Sequence, residues 1–135
     1  MVSSIILLVD DDADDRDVLD DALQEMNVPV TMGFAEDGIQ ALDKLGEWHK
    51  DGQLPCLIVL DLNMPKMSGI ETLKNLKSDE RFKTIPTIIY STSINPREKD
   101  KCILLGAYSF ITKPISTKEI KETANTLVNI CNPTK

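Results

Sequence analysis

The sequence of 135 residues lacks any apolar run long enough to cross a membrane, and only 4% of its residues are aromatic. A transmembrane helix needs ~20 consecutive apolar residues, far more than any apolar run here offers. The amino terminus also lacks the basic region and apolar core of a secretory signal. We therefore expect a cytoplasmic protein that does not insert into membranes.

Cysteine is also scarce, with only Cys56, Cys102 and Cys131 present. Their spacing matches neither a metal site nor an even set of disulfides, which is typical of a reducing compartment. We interpret all three as ordinary packing or surface thiols.

Positive charge is in deficit, because 22 acidic residues face 15 lysines and arginines and give a net charge of −7. Binding to a nucleic-acid backbone requires clustered basic residues, so this class of function is excluded. The length suits one domain with a hydrophobic core, and we expect residues 1–135 to form that single domain.

Short apolar runs alternate with helical patterns along the chain, which predicts repeated βαβ units and a parallel sheet. The predicted strands are 5–9, 30–35, 57–60, 86–91 and 108–111. Helices are expected to begin near residues 14, 38, 70, 96 and 117, with the second ending at Gly46 and the last capped by Ser116.

Carboxylates follow two of the predicted strands. Asp10, Asp11 and Asp12 come directly after the first, and Asp61 ends the third. Ligands of open α/β sheets bind outside the carboxyl ends of the strands. Converging carboxylates repel one another unless a cation intervenes, and oxygen ligands favour a hard ion such as Mg²⁺. The pattern therefore indicates phosphate chemistry.

Other acids in the first segment have a simpler interpretation. Asp14 is predicted to cap the first helix, and Asp12 is assigned no ligand role. The remaining acids are expected on the exposed face of that helix, where negative charge near the amino terminus is mildly favourable; they are Asp15, Asp17, Asp20 and Asp21.

An ordered set of motifs resembles the receiver domains of bacterial response regulators, in particular stand-alone receivers of the chemotaxis type. The set comprises Asp10-Asp11, Asp61 followed by Asn63-Met64-Pro65, Ser91 at the end of the fourth strand, and Lys113-Pro114 after the fifth. The resemblance spans nearly the whole chain. It implies a flavodoxin-like (βα)5 fold, a doubly wound five-stranded parallel sheet with strand order 2-1-3-4-5.

The resemblance also implies a phosphorelay function. Asp61 would accept a phosphoryl group from a phosphohistidine on a sensor histidine kinase or a histidine phosphotransfer protein. Asp10, Asp11, Asp61 and the Asn63 backbone carbonyl would hold Mg²⁺ or Mn²⁺. Such a protein would catalyse only its own phosphorylation and dephosphorylation.

Further roles follow from the same resemblance. Lys113 and Ser91 would engage the phosphoryl oxygens, and the adjacent Thr92 could substitute in part for Ser91. Phe110 occupies the position of a switching aromatic that is commonly tyrosine, so a switch here would act by packing alone. The family often has a cis peptide before the proline that corresponds to Pro114, which would aim the lysine inward.

Output is expected through a surface formed by the fourth helix, fifth strand and fifth helix. Because the chain ends soon after that helix, with no effector domain, we expect this surface to bind an unknown downstream protein. The segments 47–54 and 78–86 resemble stand-alone receivers associated with bacterial phytochromes, which often pair through the same surface.

Two rival functions use the same residues. A small-molecule phosphatase or phosphotransferase with an aspartyl nucleophile usually has a second acid two residues later, where this chain has Asn63. A receiver-like module that only binds partners would not need every candidate site residue. Both rivals remain open at the level of sequence.

Overall fold

The computed structural model describes residues 4–92 and 95–131. The strands β1 to β5 are Ser4–Val9, Val30–Ala35, Leu57–Leu60, Thr87–Ser91 and Ser109–Thr112. The helices α1 to α5 are Ala13–Glu25, Gly38–Lys50, Gly69–Ser78, Pro96–Leu104 and Thr117–Cys131. Within these ranges, every helix is too short or too polar to cross a membrane.

The five strands are parallel and form one sheet in the order β2-β1-β3-β4-β5. This confirms the predicted (βα)5 architecture. Because β1 and β3 are neighbours, with Val9 opposite Leu60, the residues that follow them emerge side by side at the carboxyl edge of the sheet.

Apolar layers cover both faces of the sheet, because the central strands β1 and β3 carry apolar side chains on both faces. In β1, Leu7 and Val9 face the layer that contains buried residues of α2, α3 and α4, whereas Ile6 and Leu8 face α1 and α5. All four side chains are fully buried. Each such aliphatic side chain contributes ~1.5–3 kcal/mol on burial, so the central strands anchor the site at a fixed position.

Two helix boundaries differ from the sequence prediction. Helix α2 continues through Gly46 to Lys50, and Trp48 in this last turn packs against the core. A glycine inside a helix costs only ~1 kcal/mol, which such packing offsets. Helix α1 is capped by Asp12 and not by Asp14, because the Asp12 carboxylate accepts hydrogen bonds from two backbone N–H groups of the first turn.

The interpretation of all three cysteines as free thiols was wrong. Cys56 and Cys131 form a disulfide across a sequence separation of 75, with their Cα atoms 5.1 Å apart. Cys56 immediately precedes β3, and Cys131 is the last residue of α5. The odd count hid the pair, because only Cys102 is left as a buried free thiol.

Candidate functional site

The carboxyl ends of β1 and β3 bring three carboxylates together. Asp10 is fully buried and Asp61 is only 5% exposed, whereas Asp11 is exposed. One oxygen from each of the three lies within 4.8 Å of the others. The sequence-predicted acids Asp10, Asp11 and Asp61 therefore share one pocket, which we call the acidic pocket. Its nucleophile candidate, Asp61, lies in the pocket and does not point outward as a loop carboxylate would.

Lys113 supplies the positive charge of the acidic pocket. It follows β5, and its backbone N–H donates to the Ser91 carbonyl at 2.8 Å. Its Nζ lies 2.8 Å from Asp10 Oδ2 and 3.6 Å from Asp61 Oδ2. The lysine side chain is 9% exposed, so these charges interact with little screening by solvent.

The pKa of Asp61 is raised to about 6. Burial is the main cause, because it penalises the charged carboxylate. Lys113 acts in the opposite direction, and the neighbouring charge of Asp10 adds to the rise. Burial and the neighbouring carboxylate therefore both disfavour the ionised form of Asp61.

A divalent cation fits this donor set. Asp10 Oδ2 is buried, and its approach to Lys113 lacks hydrogen-bond geometry, so among the described residues it has no hydrogen-bond partner. The Lys113 ammonium contacts this oxygen at 2.8 Å but forms no hydrogen bond with it, so the oxygen keeps lone pairs with which it can contact a metal ion. Together with oxygens of Asp11 and Asp61 it offers the hard ligands that Mg²⁺ and Mn²⁺ prefer.

The loop between β3 and α3 fixes the orientation of Asp61. The Asn63 N–H points at Asp61 Oδ1 at 3.4 Å, and the Gly69 N–H donates to the Leu62 carbonyl at 3.0 Å. A Cβ atom at Gly69 would collide with the backbone of Asp61 and Leu62. Ser68 caps α3 by accepting from the Glu71 N–H. A close backbone approach therefore requires glycine here.

Asp15 was missed as a member of this site. Its carboxylate lies 2.8 Å from Lys113 Nζ and accepts a hydrogen bond from it, although the sequence pattern placed Asp15 on the exposed face of α1. Burial lowers the pKa of Lys113, but its interactions with Asp10 and Asp15 outweigh this effect and raise it. Helical spacing alone could not reveal a partner 98 residues away.

The remaining sequence-predicted residues lie in β4 and β5 or directly after β4. Ser91 is the last residue of β4 and is 2% exposed, whereas Thr92 is exposed. Phe110 lies in β5, half-buried against the core. Tyr90 is also buried, with Lys113 Nζ 5.6 Å from its ring centroid.

The expectation of a cis peptide before Pro114 was wrong, since the Lys113–Pro114 bond is trans. The trans form is favoured by ~0.5–1 kcal/mol in X-Pro bonds. Lys113 reaches Asp10 from this trans backbone, so the cis form is not needed to aim the lysine inward.

Comparison with known proteins gives a consistent result. The family described as "Response regulator receiver domain" matches residues 6–125. The chain is 31% identical over 117 residues to chemotaxis protein CheY1 of Helicobacter pylori (strain ATCC 700392 / 26695), covering 87% of this chain and 90% of CheY1. It is also 34% identical over 130 residues, or 93% of this chain, to protein-glutamate methylesterase/protein-glutamine glutaminase 1 of Methanospirillum hungatei, but spans only 36% of that relative.

Solved structures agree in fold. The phosphorylated cyanobacterial phytochrome response regulator RcpA superposes with a TM-score of 0.88 at 30% identity, covering 99% of this chain and 97% of RcpA. The Mn²⁺-bound form of response regulator Rcp1 gives a TM-score of 0.82 at 25% identity, covering 98% of this chain and 96% of Rcp1. The similarity therefore extends over the complete sheet and both helical layers.

Proposed function

The chain belongs to the response regulator receiver domains of two-component systems, and from this membership we propose that Asp61 is the residue that accepts the phosphoryl group. The observation that carries the proposal is the acidic pocket, in which Asp61, Asp10, Asp11 and Lys113 converge at the carboxyl edge. Asp61 is the member that both the β3–α3 loop and the lysine hold in place.

In the proposed reaction, an Asp61 carboxylate oxygen attacks the phosphorus of a phosphohistidine in line. The new O–P bond forms as the P–N bond breaks, and the imidazole leaves with the electron pair of that bond and takes up a proton. The product is an acyl phosphate on Asp61. Positioning and neutralisation of charge are the main contributions that a protein makes to such a transfer.

Receiver domains bind a divalent metal in their acidic pocket, and for this chain we assign Mg²⁺ to Asp10, Asp11, Asp61 and the Asn63 backbone carbonyl. When bound, the cation neutralises charge on the transferring phosphoryl group. Rcp1 with Mn²⁺ is a precedent for a related ion. The buried Asp10 Oδ2 without a hydrogen bond supports a cation in this position.

Lys113 and Ser91 are the groups that we assign to the transferred phosphoryl oxygens. Lys113 already lies 3.6 Å from Asp61, and Ser91 ends the strand beside β3. The Thr92 hydroxyl could replace that of Ser91 in part. A rearrangement of Phe110 is the proposed link to the output surface formed by α4, β5 and α5. Charge-assisted hydrogen bonds of this kind shift a two-state equilibrium by favouring one arrangement of the residues around the phosphate.

Receiver domains interact with histidine kinases or phosphotransfer proteins and with downstream targets, and we propose that α4, β5 and α5 form the output surface. Exposed apolar residues mark it. Leu104 and Ile115 are 88% and 92% exposed, and Tyr108 is 60% exposed. Either a downstream protein or a second copy of the chain, as in a homodimer, would cover these side chains.

The decisive experiment is incubation of the protein with acetyl phosphate and Mg²⁺, followed by intact mass measurement. We expect one phosphoryl group per chain, labile to hydroxylamine, and no label in Asp61→Asn. Asp100→Asn is the matched control, since it removes an exposed carboxylate of α4 outside the pocket and should leave labelling unchanged.

Two outcomes would contradict the proposal. Multiple turnover of a small phosphate ester would favour the phosphatase. No label on the wild-type chain would favour a module that only binds partners.

A further inference from the structure

Lys113 contacts three carboxylates, and the three contacts differ in length. Its Nζ is 2.8 Å from Asp10 and 2.8 Å from Asp15, but 3.6 Å from Asp61. We propose that Asp15 is a positioning residue for phosphoryl transfer, which holds Lys113 away from Asp61 in the resting protein and releases it when a phosphoryl group occupies Asp61. The inference rests on the proposed function of Asp61.

The contacts of Lys113 with Asp10 and Asp15 differ in how easily they can break. Asp10 is fully buried, so its contact with Lys113 cannot be replaced by water. Asp15 is 38% exposed at its side chain, so its carboxylate can be solvated if the lysine leaves. The Asp15 contact is therefore the one that breaks at low cost, because a partly exposed ion pair contributes little to stability.

A phosphoryl group on Asp61 adds negative charge beside a lysine whose Nζ already lies 3.6 Å from that carboxylate. The new oxygens accept the charge-assisted hydrogen bonds that Asp15 accepts in the resting state. The Lys113 ammonium can keep its ion pair with Asp10, which has no hydrogen-bond geometry, while the N–H that bonds Asp15 turns to the phosphate. Asp15 thus competes with the phosphoryl group for one N–H donor of Lys113 and slows acyl phosphate formation.

Asp15 is held in this position by the first turn of α1. Its backbone N–H donates to the Asp12 carboxylate at 3.2 Å, as does that of Asp14 at 2.9 Å. The two neighbours nevertheless differ, because Asp14 is exposed whereas Asp15 is half-buried and bonded to Lys113. Asp14 therefore provides a matched carboxylate with the same charge and the same helical turn.

The test compares rates of acyl phosphate formation with acetyl phosphate and Mg²⁺ under single-turnover conditions. We expect Asp15→Asn to react about three- to five-fold faster than wild type, which corresponds to the loss of one competing, partly exposed ion pair. Asp15→Glu should restore the slower rate. The rate of Asp14→Asn should differ from that of wild type only by the small effect of removing one nearby charge. The affinity for beryllofluoride with Mg²⁺ should rise in Asp15→Asn by a similar factor.

A double-mutant cycle distinguishes positioning from a general structural effect. In a Lys113→Ala background, Asp15→Asn should leave the residual rate unchanged, because the residue acts through the lysine. The inference is overturned if Asp15→Asn matches Asp14→Asn, or if its effect persists without Lys113. Absence of any label on the wild-type chain would instead overturn the proposed function, and this inference with it.

Discussion

The two edges of the sheet differ in what they bury. At the carboxyl edge, Asp10 and Asp61 are buried beside Lys113. At the amino edge, β3 begins next to Cys56, which is linked to the end of α5 through Cys131. One edge concentrates charge that opposes folding, and the other carries a covalent link that favours it. Chemistry and stability are therefore supplied at opposite ends of the same strands.

This separation has a physical basis. Carboxylates that converge in a buried pocket raise one another's pKa and reduce stability when ionised. A disulfide stabilises mainly by restricting the unfolded chain and needs no contact with the pocket. If the two edges are independent, a change at one edge should leave the other property unaltered.

Removal of the disulfide should have the largest effect on stability. Cys131→Ser opens a loop that spans 75 residues, and loop-closure entropy for that length corresponds to about 4 kcal/mol. We expect the free energy of unfolding, measured in urea without reductant, to fall by about 2–4 kcal/mol. Acyl phosphate formation by the folded variant should stay at the wild-type rate.

Reductant provides the control for this substitution. It should lower the stability of the wild-type protein toward that of Cys131→Ser and leave the variant unchanged, because Cys102 forms no disulfide. A rate of phosphorylation that falls together with stability would show that the two edges are coupled.

The sequence predicted most of the carboxyl edge but not the disulfide at the amino edge. Strands 30–35 and 57–60 match the observed bounds because their apolar runs have clear ends. The acids that follow β1 and β3 were predicted to meet because neighbouring parallel strands end at one edge. These inferences depend on local pattern and on the known topology of such sheets.

The missed features are long-range contacts. The Cys56–Cys131 pair and the Asp15–Lys113 pair join residues 75 and 98 positions apart, and neither belongs to a motif with fixed spacing. The low helix propensity of Gly46 predicts a helix end there, but α2 continues through it because Trp48 packs against the core. Tertiary contacts decided each of these features.

Neutralising Asp61 should produce the next largest effect, with the opposite sign. Because its pKa in the folded protein, about 6, lies above the ordinary value of 3.8, the folded state loses stability as the pH rises through this interval. Asp61→Asn removes that penalty. At pH 8, where the penalty is complete, we expect the free energy of unfolding of the variant to exceed that of wild type by about 1–3 kcal/mol. Near pH 4 the two free energies should differ little.

Urea titrations across this pH range give the measurement, with Asp100→Asn as the exposed control that should follow wild type. Addition of Mg²⁺ should stabilise wild type at pH 8 more than Asp61→Asn, because a bound cation offsets the same repulsion. Equal stability of wild type and Asp61→Asn at pH 8 would mean that the carboxyl edge carries no electrostatic cost.

The smallest expected effect concerns Asp12, which joins the carboxyl edge to α1. Its carboxylate caps the helix, whereas only its backbone N–H contacts Asp10, at 3.0 Å. Asp12→Ala should therefore lower the free energy of unfolding in urea by about 1 kcal/mol. Asp12→Ser keeps a capping oxygen, so its stability should stay close to that of wild type. Asp17→Ala, at an exposed position of the same helix, should cost nothing. Loss of Mg²⁺ binding in Asp12→Ser would show that this carboxylate is a metal ligand, and the division between a capping Asp12 and the metal-binding acids would then be wrong.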